Sequence, residues 1–183
     1  WIVENQGSPQ NTYPVFMTGG ARITIYGGTL LGDVPQTGEW GGLYNNSAGL
    51  FVRTQTDEVE IAGWDITECW DGIRLRPGTN VVIKDTYIAR CRDEAVENDS
   101  AVPLLIKNCL FEDNFVSIST AEANSNNTDK TMVLEQVLMS SGIYSYRRPS
   151  NSQVDITHQT PLKTDVNGPQ FNMTDVVMAS RDV

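Results

Sequence analysis

The run Arg92-Asp93-Glu94-Ala95-Val96-Glu97-Asn98-Asp99 places four carboxylates within eight residues, beside an arginine. Crowded carboxylates are suited to general acid–base chemistry, because like charges push their protonation equilibria apart. Arg74, Arg76, Arg90 and Arg92 lie close by in sequence. Such guanidinium groups can either pair with the carboxylates or hold an anionic sugar by two parallel hydrogen bonds. His158 is the single histidine, and Lys163 follows five residues later, making a candidate base beside a cation. Trp40, Tyr44, Tyr144 and Tyr146 fall in loop-like stretches, where aromatic faces can carry the C–H faces of sugars. Of these, Trp40 and Tyr146 are the expected platforms.

These side chains need elements to position them, and composition points to strands. Val, Ile and Thr together supply 46 of 183 residues, with 15 Gly and 14 Asn for turns. Segments of one pattern recur at Val59-Glu60-Ile61, Val81-Val82-Ile83, Leu104-Leu105-Ile106 and Met132-Val133-Leu134, with anchors 22, 23 and 28 residues apart. Flanking copies at Ile23-Thr24-Ile25 and Phe171-Asn172-Met173 lie 36 and 39 residues beyond these anchors, as rungs carrying loops. A second motif repeats at Leu50, Ile73, Ala95 and Val116, spaced 23, 22 and 21. Two motifs sharing a period near 22 residues predict a solenoid with one rung per repeat. Rungs then pair in parallel about 4.8 Å apart. Ile61–Ile83–Ile106 and Ile66–Ile88–Phe111 become inward columns, and Gly63, Asp85 and Asn108 share a corner that wants left-handed backbone. A further rung is expected at Val154-Asp155-Ile156.

This register gives the candidate residues places. Glu97 falls in the column Val52, Leu75, Glu97, Ile118, which faces inward. A buried carboxylate there requires a partner or a proton and reads as a tuned acid or base. The alternative is a local slip of phase, with Val96 inward and Glu97 outward. Asp71 precedes Asp93 by one rung, so the two would stack as a solvated acidic corner. Ca²⁺ or an arginine would relieve their repulsion. Cys69 and Cys91, also 22 apart, are expected as stacked free thiols, and Cys109 as a small core residue. Trp64 shares the column of Thr86 and Cys109 and is expected to pack. Asn45, Asn98, Asn126 and Asn172 fit the N-glycosylation pattern.

Several classes are excluded. A net charge of −10 opposes nucleic-acid binding, no apolar run is long enough for a membrane-spanning helix, and a lone histidine cannot build a multi-imidazole metal site. Residues 1–183 read as one domain. A start at Trp1, without a signal segment, reads as an excerpt of a longer chain.

The pattern V-x-I-x-N-x-x-I…G-I-x-L resembles the right-handed parallel β-helix repeat of pectate lyases, polygalacturonases and many uncharacterised extracellular proteins. The Arg92–Asp99 run and His158-Gln159-Thr160-Pro161-Leu162-Lys163 are similar to stretches of uncharacterised bacterial members. The resemblance implies an all-β, right-handed parallel β-helix, an extracellular or cell-surface setting and a polysaccharide or glycan partner. Polygalacturonases carry a doubled aspartate before a similar strand. This chain has Asp93-Glu94 there and lacks their Gly-His-Gly and Arg-x-Lys motifs. Lyases of this fold abstract a proton with Arg, Lys or His while calcium or arginine neutralises the uronate. The expected centre therefore has Glu97, Asp93 or Glu94 as acid or base, assisted by His158 and Lys163. Arg74, Arg92, Trp40 and Tyr146 would hold substrate. The competing expectation is a non-catalytic, carbohydrate-binding or adhesive fibre module that self-associates through exposed β-helix ends.

Overall fold

The computed structural model describes residues 2–5, 13–20, 22–35, 38–39, 47–53, 58–76, 80–120, 126–141, 146–147 and 160–180. Every described element is a strand and every pairing is parallel. Sheet A stacks β1 (Ile2–Asn5), β3 (Ile23–Gly32), β6 (Val59–Thr67), β8 (Val81–Lys84) with β9 (Tyr87–Ala89), β11 (Leu104–Asn114), β13 (Thr131–Ser141) and β16 (Gln170–Ser180). Sheet B stacks β2 (Val15–Met17), β5 (Ala48–Val52), β7 (Asp71–Leu75), β10 (Glu94–Glu97), β12 (Val116–Thr120) and β15 (Thr160–Thr164). The chain alternates between the sheets, so each circuit is one rung of a parallel β-helix. A third, two-stranded pairing joins β4 (Gly38–Glu39) to β14 (Tyr146–Arg147). No helix among the described residues is long and apolar enough to cross a membrane.

The expected columns are present in sheet A. Ile25, Ile61, Ile83, Ile106, Leu134 and Met173 are register partners, as are Leu30, Ile66, Ile88, Phe111, Met139 and Met178. Their middle members are fully buried, each contributing about 1.5–3 kcal/mol. The 36- and 39-residue intervals hold as aligned rungs, Ile25↔Ile61 and Leu134↔Met173. The corner is left-handed at Gly27, Gly63, Asp85, Asn108, Gln136 and Asp175. Short polar side chains tolerate this conformation by bonding locally, and Asn108 Nδ2 donates to Asp85 Oδ1 of the preceding rung at 2.7 Å. Trp64 packs as expected: its ring lies where a Cβ at Gly28 would stand, 2.6 Å away, and its Nε1 donates to the Ile25 carbonyl at 3.2 Å. Cys69 and Cys91 are buried free thiols, and Cys109 is a buried core residue. Burial pushes Cys69 up to about 12 and Cys109 up to about 11, so these thiols stay protonated. The expected rung at Val154-Asp155-Ile156 lies outside the described residues.

Sheet B corrects the second motif. The inward column is Leu50–Ile73–Val96–Ile118, not one through Ala95 and Val116. The register step from β5 to β7 and from β7 to β10 is 23 residues, then 22 from β10 to β12. The cause lies one residue earlier, at Gly49, Gly72, Ala95 and Ser117. A Cβ at Gly72 would lie 2.6 Å from Ile88 Cγ2 and 3.4 Å from Cys91 Sγ, so that position also faces the core. Two consecutive residues therefore face inward in each rung, which suspends the alternation of an ordinary strand. Only a very small side chain fits the first of the two. Asp71 and Arg74, on either side of the inward pair Gly72-Ile73, both emerge on the outer face.

Asn98 is fully buried, accepting from the Val102 amide at 2.9 Å and donating to its carbonyl at 3.0 Å. Its place in a glycosylation pattern is therefore overruled by its structural bonds.

Candidate functional site

The corrected phase lays Phe16, Phe51, Arg74, Glu97, Ser119 and Lys163 in one row across the outer face of sheet B. Glu97 thus points outward, as the slipped phase would have it, with Val96 inward. It is nonetheless only 6 % exposed. Of the expected column Val52–Leu75–Glu97–Ile118, Val52 and Leu75 are buried partners, but Glu97 pairs with Arg74 and Ser119 and Ile118 with Val96, because the inward pair at Ala95-Val96 turns Glu97 over. Asp71 is likewise not a solvated corner. It is completely buried, and the 23-residue step sets it beside Glu94 rather than Asp93.

Arg74 organises the cluster. Its Nε donates to Glu97 Oε2, its Nη2 to Asp71 Oδ2 at 2.9 Å, and its Nη1 to the Tyr13 hydroxyl at 3.4 Å. The second oxygen of Asp71 accepts the Glu94 amide at 3.3 Å. Arg76 stands 3.9 Å from Glu97 Oε1, and Lys163 Nζ lies 3.2 Å from Glu94 Oε1. Both of these cations are half-exposed, whereas Arg74, Glu94 and Glu97 are buried. Asp93, also half-exposed, completes a trio in which single oxygens of Asp71, Asp93 and Glu94 lie within 4.8 Å of one another.

Burial sets the protonation of this group. It drives Asp71 well above the usual carboxylate range, reinforced by the charges of Glu97 and Glu94 against the pull of Arg74. Burial also raises Glu97, but the hydrogen bond from Asp71, the Arg74 charge and a bond with Asp99 outweigh it and leave Glu97 lowered. The two carboxyls are thus pushed apart, Asp71 toward its protonated form and Glu97 toward its charged form. Asp93 is raised by burial and by Glu94, with Lys163 opposing. Lys163 is depressed by burial, yet Glu94 and Asp93 more than reverse this, so the amine stays charged.

These shifts make folding pH-dependent. Asp71 and Asp93 hold their protons more tightly folded than unfolded. Their contribution to stability is complete below the ordinary carboxylate range, about pH 4, and is lost as pH rises through their elevated native values. The contribution of Glu97 is present above its ordinary range and is lost as pH falls through its depressed native value. The melting temperature should therefore peak in mildly acidic buffer and decline toward alkaline pH, with Asp71→Asn flattening the alkaline limb. Thermal melts across that range check this, and an unchanged alkaline limb in the variant would refute it.

Calcium would have to displace existing partners at these residues. Ca²⁺ takes 6–8 oxygen ligands, but Asp71 is committed to Arg74 and the Glu94 amide, and Glu94 to Lys163. The lysine ammonium already supplies the positive charge that the acidic trio requires.

Of the expected site residues, Asp93, Glu94, Glu97, Lys163 and Arg74 come together. Arg92 does not: it is completely buried, with its guanidinium 5.9 Å from the centre of the Phe115 ring, and cannot reach a substrate. Arg90 pairs with Glu68 at a different corner, at 3.1 Å. His158, Trp40 and the side chain of Tyr146 lie outside the described residues. The backbone at Tyr146 pairs with Gly38. Sequence reasoning missed Tyr13 and Phe51, which border Arg74, and Phe16 beyond them. Phe51 stands one rung before Arg74 in the repeat, and that alignment was the available signal.

The family described as a right handed beta helix region matches residues 2–131. No curated protein and no solved structure matches the chain.

Proposed function

The chain belongs to the right-handed β-helix family, and on that premise we propose that it is an extracellular, carbohydrate-active domain that cleaves polysaccharide on the outer face of sheet B. The observation that carries this reading is the convergence of four carboxyls, Asp71, Asp93, Glu94 and Glu97, with Arg74 and Lys163 on that one face. Asp93 is the general acid: it is half-buried, so a substrate can reach it, and desolvation together with the neighbouring Glu94 raises its carboxyl well above the usual range. Glu94 is the neighbouring carboxylate, held by Lys163. Their oxygens, within 4.8 Å, are closer than the ~6.5–9.5 Å by which inverting glycosidases make room for a water. Lys163 stays protonated and so acts as a charge that orients Glu94 or an anionic sugar, not as the base of a lyase.

The closed network of Arg74, Asp71 and Glu97 favours a second reading, a non-catalytic glycan-binding or fibre module in which these ion pairs only brace the sheet. Assay of new reducing ends across a polysaccharide panel separates the two. Under the first reading the protein releases them and Asp93→Asn lowers kcat by about 10²–10⁴-fold. Ultraviolet-absorbing unsaturated products would instead identify a lyase. Glycan binding without cleavage of any polymer would leave the second reading.

A further inference from the structure

Two guanidinium groups lie one rung apart on the same outer face, and resting on the glycan reading above, we infer that Arg53 and Arg76 form a subsite for a sulfate ester carried by the glycan. The pairing of β5 with β7 runs one residue past Val52↔Leu75. The Arg76 amide donates to the Val52 carbonyl at 3.0 Å and the Arg53 amide to the Met17 carbonyl at 2.8 Å. This continues the parallel ladder and sets Arg76 directly opposite Arg53. Val52 and Leu75, just before them, are fully buried. Strand alternation therefore turns both arginines outward, on the side of Arg74 and Glu97. Arg53 is exposed, and the side chain of Arg76 is 37 % exposed.

Like charges opposed on neighbouring strands, about 4.8 Å apart at the backbone, repel each other. The carboxylates of this face do not balance them. Arg76 stands 3.9 Å from Glu97 Oε1, but the other oxygen of Glu97 is held by Arg74. Among the described residues no salt bridge reaches Arg53. An anion seated between the two forks completes the balance. Donor geometry gives its class. A planar carboxylate has two oxygens, which one fork takes up as a pair. A sulfate ester presents three free oxygens and accepts parallel N–H bonds from both forks at once. The net charge of −10 repels polyanions at long range, so affinity for a sulfated chain must come from a local pair such as this one. Arg76 lies five residues beyond Asp71, which at about 3.3 Å per residue is roughly 16 Å along the strand from the level of the acidic trio. The sulfated unit therefore sits away from the bond to be broken, and its contribution is to the affinity for the chain.

Calorimetric titration of the full chain with a sulfated galactan hexasaccharide, its desulfated form and hexagalacturonate tests the inference, with melting curves confirming that each variant is folded. The expected result is that the parent prefers the sulfated chain and that Arg53→Ala binds it about tenfold more weakly. Arg53→Lys should recover only part of this, since it keeps the charge and loses the fork. Arg22→Ala removes an equal charge from an exposed position on sheet A and should leave the affinity unchanged. Equal affinity of parent and Arg53→Ala overturns the subsite while the glycan reading stands. So does an equal loss in Arg22→Ala, equally tight binding of the desulfated chain, or a preference for hexagalacturonate. Failure of the parent to bind any glycan, across these three and the polysaccharide panel, overturns the glycan reading itself, and the subsite with it.

Discussion

Arg74→Ala is expected to lower the unfolding free energy by about 3–5 kcal/mol, because it strands the buried Glu97 carboxylate without its nearest counter-charge and leaves a buried Asp71 oxygen without its donor. Asp71 is completely buried and Glu97 nearly so, and both lose a guanidinium donor. Arg74→Lys should rescue little. The three nitrogens of the fork serve three partners, on β7, on β10 and at Tyr13, and a single ammonium cannot span them. The cost belongs mainly to the abandoned Glu97 charge, so Glu97→Gln in the Arg74→Ala background should recover a large part of it, and Asp71→Asn less. Urea unfolding of the single and combined variants measures this. A loss below about 1 kcal/mol, typical of exposed pairs, would show that the network is solvated rather than buried.

Gly72→Ala is the second substitution with a large expected effect, about 3 kcal/mol, the upper end for overpacking a well-filled core. The added methyl would stand 2.6 Å from both the Ala95 carbonyl oxygen and Ile88 Cγ2. One of these is backbone in the next rung, so relief requires prising β7 from β10. Gly19→Ala, where nothing lies within 4 Å, is the matched control and should be nearly neutral. The two effects are linked: Gly72 lies between Asp71 and Arg74, and its lack of a side chain is what turns both toward the outer face. Gly72→Ala should therefore disturb the ionisation of Asp71 as well as stability. Infrared titration of the carboxyl band would detect that displacement.

Such dependence explains what could be read in the chain beforehand. The columns of sheet A follow the alternation of a plain strand, so Ile61, Ile83 and Ile106 declared themselves through spacing alone. Left-handed corners were legible at Gly63, Asp85 and Asn108 because few residue types tolerate that backbone. Sheet B broke the rule at Gly49, Gly72, Ala95 and Ser117, where two neighbours face inward. A strict period of two puts Glu97 inward and only the slipped phase puts it outward, while the 22-residue spacing pairs Asp71 with Asp93 where the register step is 23. The small residues were visible, but their meaning depends on Ile88 and Cys91, which approach from a different strand. Lys163 was noticed for its closeness to His158 in sequence, while its observed contact is with Glu94, 69 residues away. The burial of Arg92 beneath Phe115 and the grouping of Tyr13 with Phe16 and Phe51 are packing outcomes that spacing does not encode.

The reach of Lys163 has one more consequence. In a stack of rungs, stability is passed mainly between nearest neighbours, so fraying at one end ordinarily stops at the next interface. Lys163 stands on β15, which pairs with β12, yet its amine passes over that strand to Glu94 on β10. The tether skips a rung. Loosening of the terminal strand would withdraw the cation from the acidic trio before any hydrogen bond between the inner strands had broken. The protonation state of Asp93 would then report, from the middle of the molecule, whether its edge is still wound.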